Sequence, residues 1–293
     1  MNKEIWLWLL LVMLPHNIKT LQLVERYGDV RSAAMAVRNG TCGQLDEDEK
    51  QRAEAIRSRD VSAIIAKCEA NGIRIVTIED EEYPARLKTI FNPPVVLFVQ
   101  GSLDGLDDEP VLAVVGTRKA SDYGMRTTKR ICTELVRNGM VIVSGLATGL
   151  DTVAHRCALS NGGRTIGVLA CGSLIDYPAA SRDLKRSIIR SGGAVISELP
   201  PDTGVTKEYF RYRNRIISGL AQGTFITEAP DPSGCRHTAE HAIEQGRELF
   251  CLPPHDIFDQ RYAGVIAFLR DGAIPVFSHT DILDAYNFGI VGD

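Results

Sequence analysis

The stretch Val111–Gly124, VLAVVGTRKASDYG, limits more than any other what this chain can fold into. Its first five residues are apolar, three of them β-branched, with no polar alternation. Such a run suits a strand buried on both faces, as in a parallel sheet covered by helices. Gly116 ends the strand, and Ser121 and Asp122 are good N-caps for a helix running to about Asn138–Gly139. A strand, a glycine turn and a helix start bring backbone N–H groups and the positive end of a helix dipole to one spot, which favours anions and phosphate above all. Thr117, Arg118 and Lys119 sit in that turn, and the two cations add formal charge. The G-x-G-x-x-G spacing of dinucleotide sites is missing.

The same logic repeats. Met140–Leu159 reads as a strand, a glycine turn containing Gly145, Ala147 and Gly149, and a helix begun by Asp151 and Thr152. Thr165–Gly172, Ala194–Pro201, Thr224–Pro230 and Leu249–Pro254 read as further strands, separated by helices over Ala179–Arg190, Phe210–Leu220 and Arg236–Gly246. Strands alternating with helices predict βαβ units and a mostly parallel, doubly wound α/β sheet of Rossmann-like type. Ligands of such sheets bind outside the carboxyl ends of the strands. Here those ends are rich in glycine and small polar residues, as a close backbone approach requires.

Before this sheet, residues 1–70 read as a small helical domain, leaving 71–293 for the Rossmann-like one. Ile5–Leu14 is an unbroken run of ten apolar residues. That is too short to span a bilayer, which takes about 20. Glu4 and the lack of a small-x-small cleavage site argue against a signal peptide, so a buried first helix is expected and no membrane partner. The seven cysteines fall at irregular spacing with no C-x-x-C pair, which points to reduced thiols in a cytoplasm and away from a zinc site. A net charge of −4 excludes a globally basic nucleic-acid binder, so any such binding needs a local patch.

One such patch is Lys207–Arg215, KEYFRYRNR, where Lys207, Arg211, Arg213 and Arg215 interleave with Tyr209, Phe210 and Tyr212. Cations for phosphates and aromatic faces for bases are what single-stranded nucleic acid needs. For Asn214 and Arg215 a structural role is an equal alternative, the arginine pairing with Glu198 or Glu228. Those two carboxylates end strands near the expected ligand site, where orienting arginines is commoner for such groups than acid–base chemistry. Ser233–Gly234, in a proline-bounded loop before a helix, is another possible phosphate cradle. His237 and His241 stand at i, i+4 with His255 further on, but no third ligand follows at a fixed offset, so no metal is expected.

The motifs VGTRKASDYG, SGLATGLDTVAH, ACGSLIDYP, SELPP, FRYRNRIISGL, EAPDPSG and QGRELFCLP occur in the order found in the DNA-processing protein A (DprA) family, and the resemblance spans roughly Tyr83–Ile282. That resemblance implies a protein that binds single-stranded DNA, protects it during natural transformation and hands it to RecA, working as a homodimer through the later helices of the sheet domain. It implies no catalysis and no cofactor. It also implies that Lys207 takes phosphate and Phe210 stacks on a base, with Arg118 and Arg213 neutralising phosphates. The chain departs from the family at four places: PHNIKT replaces a helix-hairpin-helix-like LPGIG turn, SGCRHT replaces SGSLIT, His255 replaces a glycine, and Ile266 an asparagine, the last two at expected loop or turn positions near the site. A winged-helix-like domain that many relatives append is not expected after Asp293. The alternative reading is a Rossmann-like protein or hydrolase acting on a nucleotide or nucleoside phosphate, although TEAPDPSG stands where a PGG-x-GT-x-x-E signature would be.

Overall fold

The computed structural model describes residues 2–43 and 45–287. Five helices come first: α1 (Lys3–Met13), α2 (Lys19–Tyr27), α3 (Val30–Arg38), α4 (Glu47–Ala55) and α5 (Ser58–Ala70). In α1, Trp6 to Leu10, Val12 and Met13 are all buried, which is why the run is apolar on every side. No described helix is long and apolar enough to cross a membrane. The strands β1 (Arg74–Thr77) and β2 (Val96–Gly101) flank the short helix α6 (Ala85–Lys88) and pair antiparallel. Side chains alternate across a strand. Ile75, Val96 and Phe98 therefore face the helical core of Trp6 and Leu10, while Val76, Leu97 and Val99 face the sheet domain's core. The fifth helix ends at Ala70, and the five helices share one apolar core with this hairpin.

The regular βα alternation follows: β3 (Val111–Val115), α7 (Asp122–Arg137), β4 (Val141–Ser144), α8 (Leu150–Ser160), β5 (Thr165–Val168), α9 (Arg182–Arg190), β6 (Ala194–Ser197), α10 (Lys207–Gly219), β7 (Gly223–Ile226), α11 (Cys235–Glu244), β8 (Glu248–Cys251), α12 (Ala263–Arg270), β9 (Ile274–Pro275) and α13 (His279–Asn287). The nine strands form one sheet in the order β1-β2-β6-β5-β4-β3-β7-β8-β9. Every pairing from β6 to β9 is parallel, and β2 joins β6 antiparallel. All five residues of β3 are buried, Leu112 and Val114 under α7, α8 and α13, and Val111, Ala113 and Val115 under α10, α11 and α12. The sheet order reverses between β3 and β7, the switch point at which open α/β sheets receive ligands.

Ser121 caps α7 by accepting from the Gly124 amide, as its place in the sequence predicts. Two expectations need correction. Helix α8 starts at Leu150 after Gly149, and Asp151 is a buried residue within its first turn. Ile266 lies in helix α12 and not in a loop, because the polypeptide turns helical directly after Tyr262.

Candidate functional site

At the carboxyl ends of β3, β4, β5 and β7 the loops enclose a two-lobed groove. The larger lobe, about 370 Å³, lies between the Gly116–Lys119 turn, the start of α10 and the Pro230–Cys235 loop. The smaller, about 100 Å³, runs on past Gly145, Ala147 and Thr148 to Leu169–Cys171, Tyr177 and Pro178. Arg118, Ala147 and Phe210 line both lobes and so mark the middle of the groove. There the guanidinium carbon of Arg118 lies 4.9 Å from the Phe210 ring centroid, a cation–π geometry. Tyr177 adds a second ring, its centroid 5.8 Å from that of Phe210.

The glycines make this approach possible. Any Cβ at Gly116 would collide with Leu150. Gly149 has φ of +83°, and an added Cβ would collide with the Thr117 carbonyl oxygen, so only glycine fits there without strain. A Cβ at Gly145 would stand 2.6 Å from the Arg213 guanidinium. Gly145→Ala is therefore expected to displace Arg213 and to cost about 1–3 kcal/mol of stability, measured by denaturant unfolding. Unchanged unfolding would show that the guanidinium has room to yield.

The residues expected from the sequence divide into two groups. Arg118, Lys119, Lys207, Arg211 and Gly234 are exposed, with Thr117, Ser121, Ala147, Gly149, Phe210 and Ser233 half-buried nearby. Arg213, Asn214 and Arg215 are buried, with Arg213 and Arg215 each only 6% exposed. Arg213 donates to the carbonyls of Gly145 and Val168, bolting α10 to the ends of β4 and β5. Burial lowers its pKa to about 10, and Asp151 opposes that shift. Asn214 donates to the Gly234 carbonyl at 3.2 Å, tying α10 to the β7–α11 loop. Arg215 reaches Glu198 at 2.7 and 2.9 Å and the Asn92 carbonyl at 2.7 Å. Of the four cations in KEYFRYRNR, the two buried ones thus hold the groove's shape, while Lys207 and Arg211 are exposed on the first turns of the helix that supplies Phe210.

The two carboxylates behave in the same structural way. Glu198 pairs with Arg215, and Glu228 accepts from the Ser121 amide at 2.9 Å, from the Ser121 hydroxyl and from Tyr262 at 3.0 Å. His255, one of the departures from the family, joins this network through Nδ1, 3.0 Å from the Tyr262 hydroxyl. Arg236 faces solvent and pairs with Asp231 and Glu240, while His237 and His241 lie beside Glu240 and Glu244. The PHNIKT turn is stapled to the far side of α10: His16 stacks on Tyr212 at 3.8 Å, and its amide donates to Glu198 at 3.1 Å.

Asp151 is the member that sequence reasoning missed. Its carboxylate accepts from the amides of Gly145 and Ala147 at 3.2 and 3.4 Å. Burial pushes its pKa up, while Arg213 and those amides pull it down. The amides that a glycine turn was expected to offer to phosphate are therefore turned inward, onto an anion the chain supplies itself. The Thr117 amide is likewise taken, by the Glu228 carbonyl. Positive charge facing an incoming anion then comes from side chains, of which the exposed Arg118 and Lys119 line the groove. Thr148 has no sequence signal beyond its place after a strand, whereas Tyr177 belongs to the ACGSLIDYP motif and, with Pro178, walls the smaller lobe. Among the described residues, no group of three or more His, Cys, Asp or Glu could hold a metal ion.

Fold and groove together define a Rossmann-like α/β protein that presents cations and an aromatic face at its switch point. The chain belongs to the family described as DNA recombination-mediator protein A, which matches residues 74–287. DNA processing protein DprA of Streptococcus pneumoniae is 41% identical over 212 residues, covering 72% of this chain and 74% of that protein. Its Bacillus subtilis counterpart is 38% identical over 221 residues, 75% and 74% of the two chains. The X-ray structure of the S. pneumoniae protein superposes with a TM-score of 0.84 at 34% identity, covering 97% of each chain. A structure of DNA processing protein A from Helicobacter pylori, which concerns its single-stranded DNA binding mode, matches with a TM-score of 0.64 at 29% identity over 73% of this chain and 95% of that one.

Proposed function

We propose that this protein binds single-stranded DNA along the groove, with no catalytic step. The observation that carries the reading is Arg118 held over Phe210 where the two lobes meet, with Lys119, Lys207 and Arg211 exposed around it. A flat ring backed by a guanidinium stacks a base, and the lysines track phosphates on either side. Glu198 and Glu228 are consumed by structural contacts, so neither is free to serve as a general base. The binding described for the H. pylori relative supports the same ligand class. Protection of incoming DNA, delivery to RecA in natural transformation, homodimerisation and a cytoplasmic site are part of this proposal and rest on the family resemblance. The buried, unpaired state of all seven cysteines fits a reducing compartment.

Fluorescence anisotropy of a labelled oligo-dT, titrated at several salt concentrations with duplex DNA and ATP as competitors, tests the reading. Salt-steep binding that ATP does not displace is expected. Displacement by ATP at low concentration would move the nucleotide-ligand reading to the front. Within the same assay, Phe210→Ala is expected to cost about 1–3 kcal/mol of affinity while leaving the salt slope unchanged, because a lost stack removes no phosphate contact.

A further inference from the structure

The groove does not account for one strongly charged surface. Helices α7, α8 and α9 lie side by side on one face of the sheet, and each follows a loop that lines the groove. Their outer surface exposes Arg126, Lys129 and Arg130 on α7, Arg156 on α8, and Arg186 and Arg190 on α9. The ion pairs recorded on these helices use Arg137, Arg182 and Lys185 instead. Arg126, Lys129 and Arg130 stand at i, i+3 and i+4, opposite the buried Ile131 and Leu135. The Cys157 thiol reaches the Lys129 carbonyl at 3.7 Å, so the turn carrying Arg156 lies against the turn carrying Lys129.

An exposed charged face is commonly no more than a solvated one. Here two features say otherwise. Arg126 and Arg130, and again Arg186 and Arg190, are like charges at i, i+4, a spacing at which each pair destabilises its helix. The cations also gather on one side of a chain whose net charge is −4, so the field is local and directed. By the helical rise, the first of them on each helix lies about 6–9 Å along the axis from that helix's start. Of the two rings on the three helices, His155 is buried and Tyr123 is turned to His255, 4.8 Å away, leaving cations without a stacking face. Such a surface reads phosphates and not bases.

We infer that the outer surface of α7, α8 and α9 is a second track for nucleic acid, holding the phosphate backbone of the single strand after it leaves the groove. This inference rests on the groove reading but fails separately from it. The test is anisotropy of the full chain with oligo-dT of about 6 nucleotides, which only the groove can hold, and of about 30, which reaches the outer track. Arg126, Lys129, Arg156 and Arg186 are changed together to glutamate, and in a milder set to glutamine. The expected result is a roughly tenfold or larger loss for the long oligomer and little change for the short one. For the glutamine set the log–log salt slope of the long oligomer falls by about 0.7 per cation removed. The glutamine set decides the matter if the glutamate set melts lower than the parent. Equal loss on both oligomers, or no loss on the long one, overturns the inference. Binding to phosphatidylglycerol vesicles that the variant abolishes, with the long oligomer unaffected, overturns it in favour of a lipid surface. If the unmodified protein does not bind the short oligomer, the groove reading falls, while loss on the long one would still support the outer track.

Discussion

Replacing Arg118 by glutamate is expected to weaken oligo-dT binding by about a hundredfold, the largest loss from any single exposed residue of the groove. Three terms combine. The variant removes a cation from the centre of the groove, puts a carboxylate where a phosphate should come, and takes away the guanidinium 4.9 Å from the Phe210 ring. The salt slope should fall as well, which separates this variant from Phe210→Ala. Stability should change little, because Arg118 is exposed and surface substitutions away from a cap or a buried pair stay within about 0.5 kcal/mol. Unchanged affinity in a variant that melts normally would sink the assignment of Arg118, and with it the centre of the proposed path. Lys119→Glu serves as a graded control, since it is exposed on the same turn but lines only the larger lobe.

Much of this architecture can be read from the sequence, and the failures have physical causes. Periodicity locates the strands from β3 to β8 because buried parallel strands are short apolar runs between glycine turns. Their far ends are overrun, however. Thr165–Gly172 looks like one strand, but β5 stops at Val168 and Leu169 to Cys171 continue as a buried loop beneath the smaller lobe. Burial alone does not distinguish a strand from the floor of a binding groove. Strand β9 escapes notice because two residues, Ile274 and Pro275, carry no period. Arginines are the other blind spot. Arg211, Arg213 and Arg215 look alike in sequence, and helical spacing does not sort them: Arg211 and Arg215 share a face at i, i+4, yet the first is exposed and the second buried. One is left in solvent and two are sent into the interior, where only their partners Gly145, Val168 and Glu198 reveal their task. Asp151 was legible as an acidic residue at a helix start, where it favours the dipole. That it would be buried and fill the turn's own anion site depends on how β4 and α8 pack, which no local pattern encodes.

The buried pair of Glu198 and Arg215 carries the largest stability prediction. Glu198 at the end of β6 binds Arg215 of α10 through two bonds and accepts the His16 amide, so one carboxylate ties the sheet, the helix that carries Phe210, and the helical domain. Glu198→Ala strands the Arg215 charge in the interior and is expected to cost about 3–5 kcal/mol. If the cost is the stranded charge, Glu198→Leu combined with Arg215→Met should recover much of it; a double variant as unstable as the single one would mean that packing and not charge is at stake. The pH dependence follows from the same pair. Burial raises the Glu198 pKa but Arg215 and His16 more than reverse this, bringing it from an ordinary 4.5 to about 2. A depressed carboxylate stabilises the fold above its unfolded pKa and loses that contribution as pH falls through the folded one. The parent should therefore lose about 3 kcal/mol between roughly pH 5 and pH 2, and Glu198→Ala should lack that part of the acid slope. DNA affinity at neutral pH should drop in the single variant with its salt slope intact, because Lys207 and Arg118 remain and only the seating of α10 is loosened. A variant with parental stability and an unaltered acid profile would show that α10 is held without this pair.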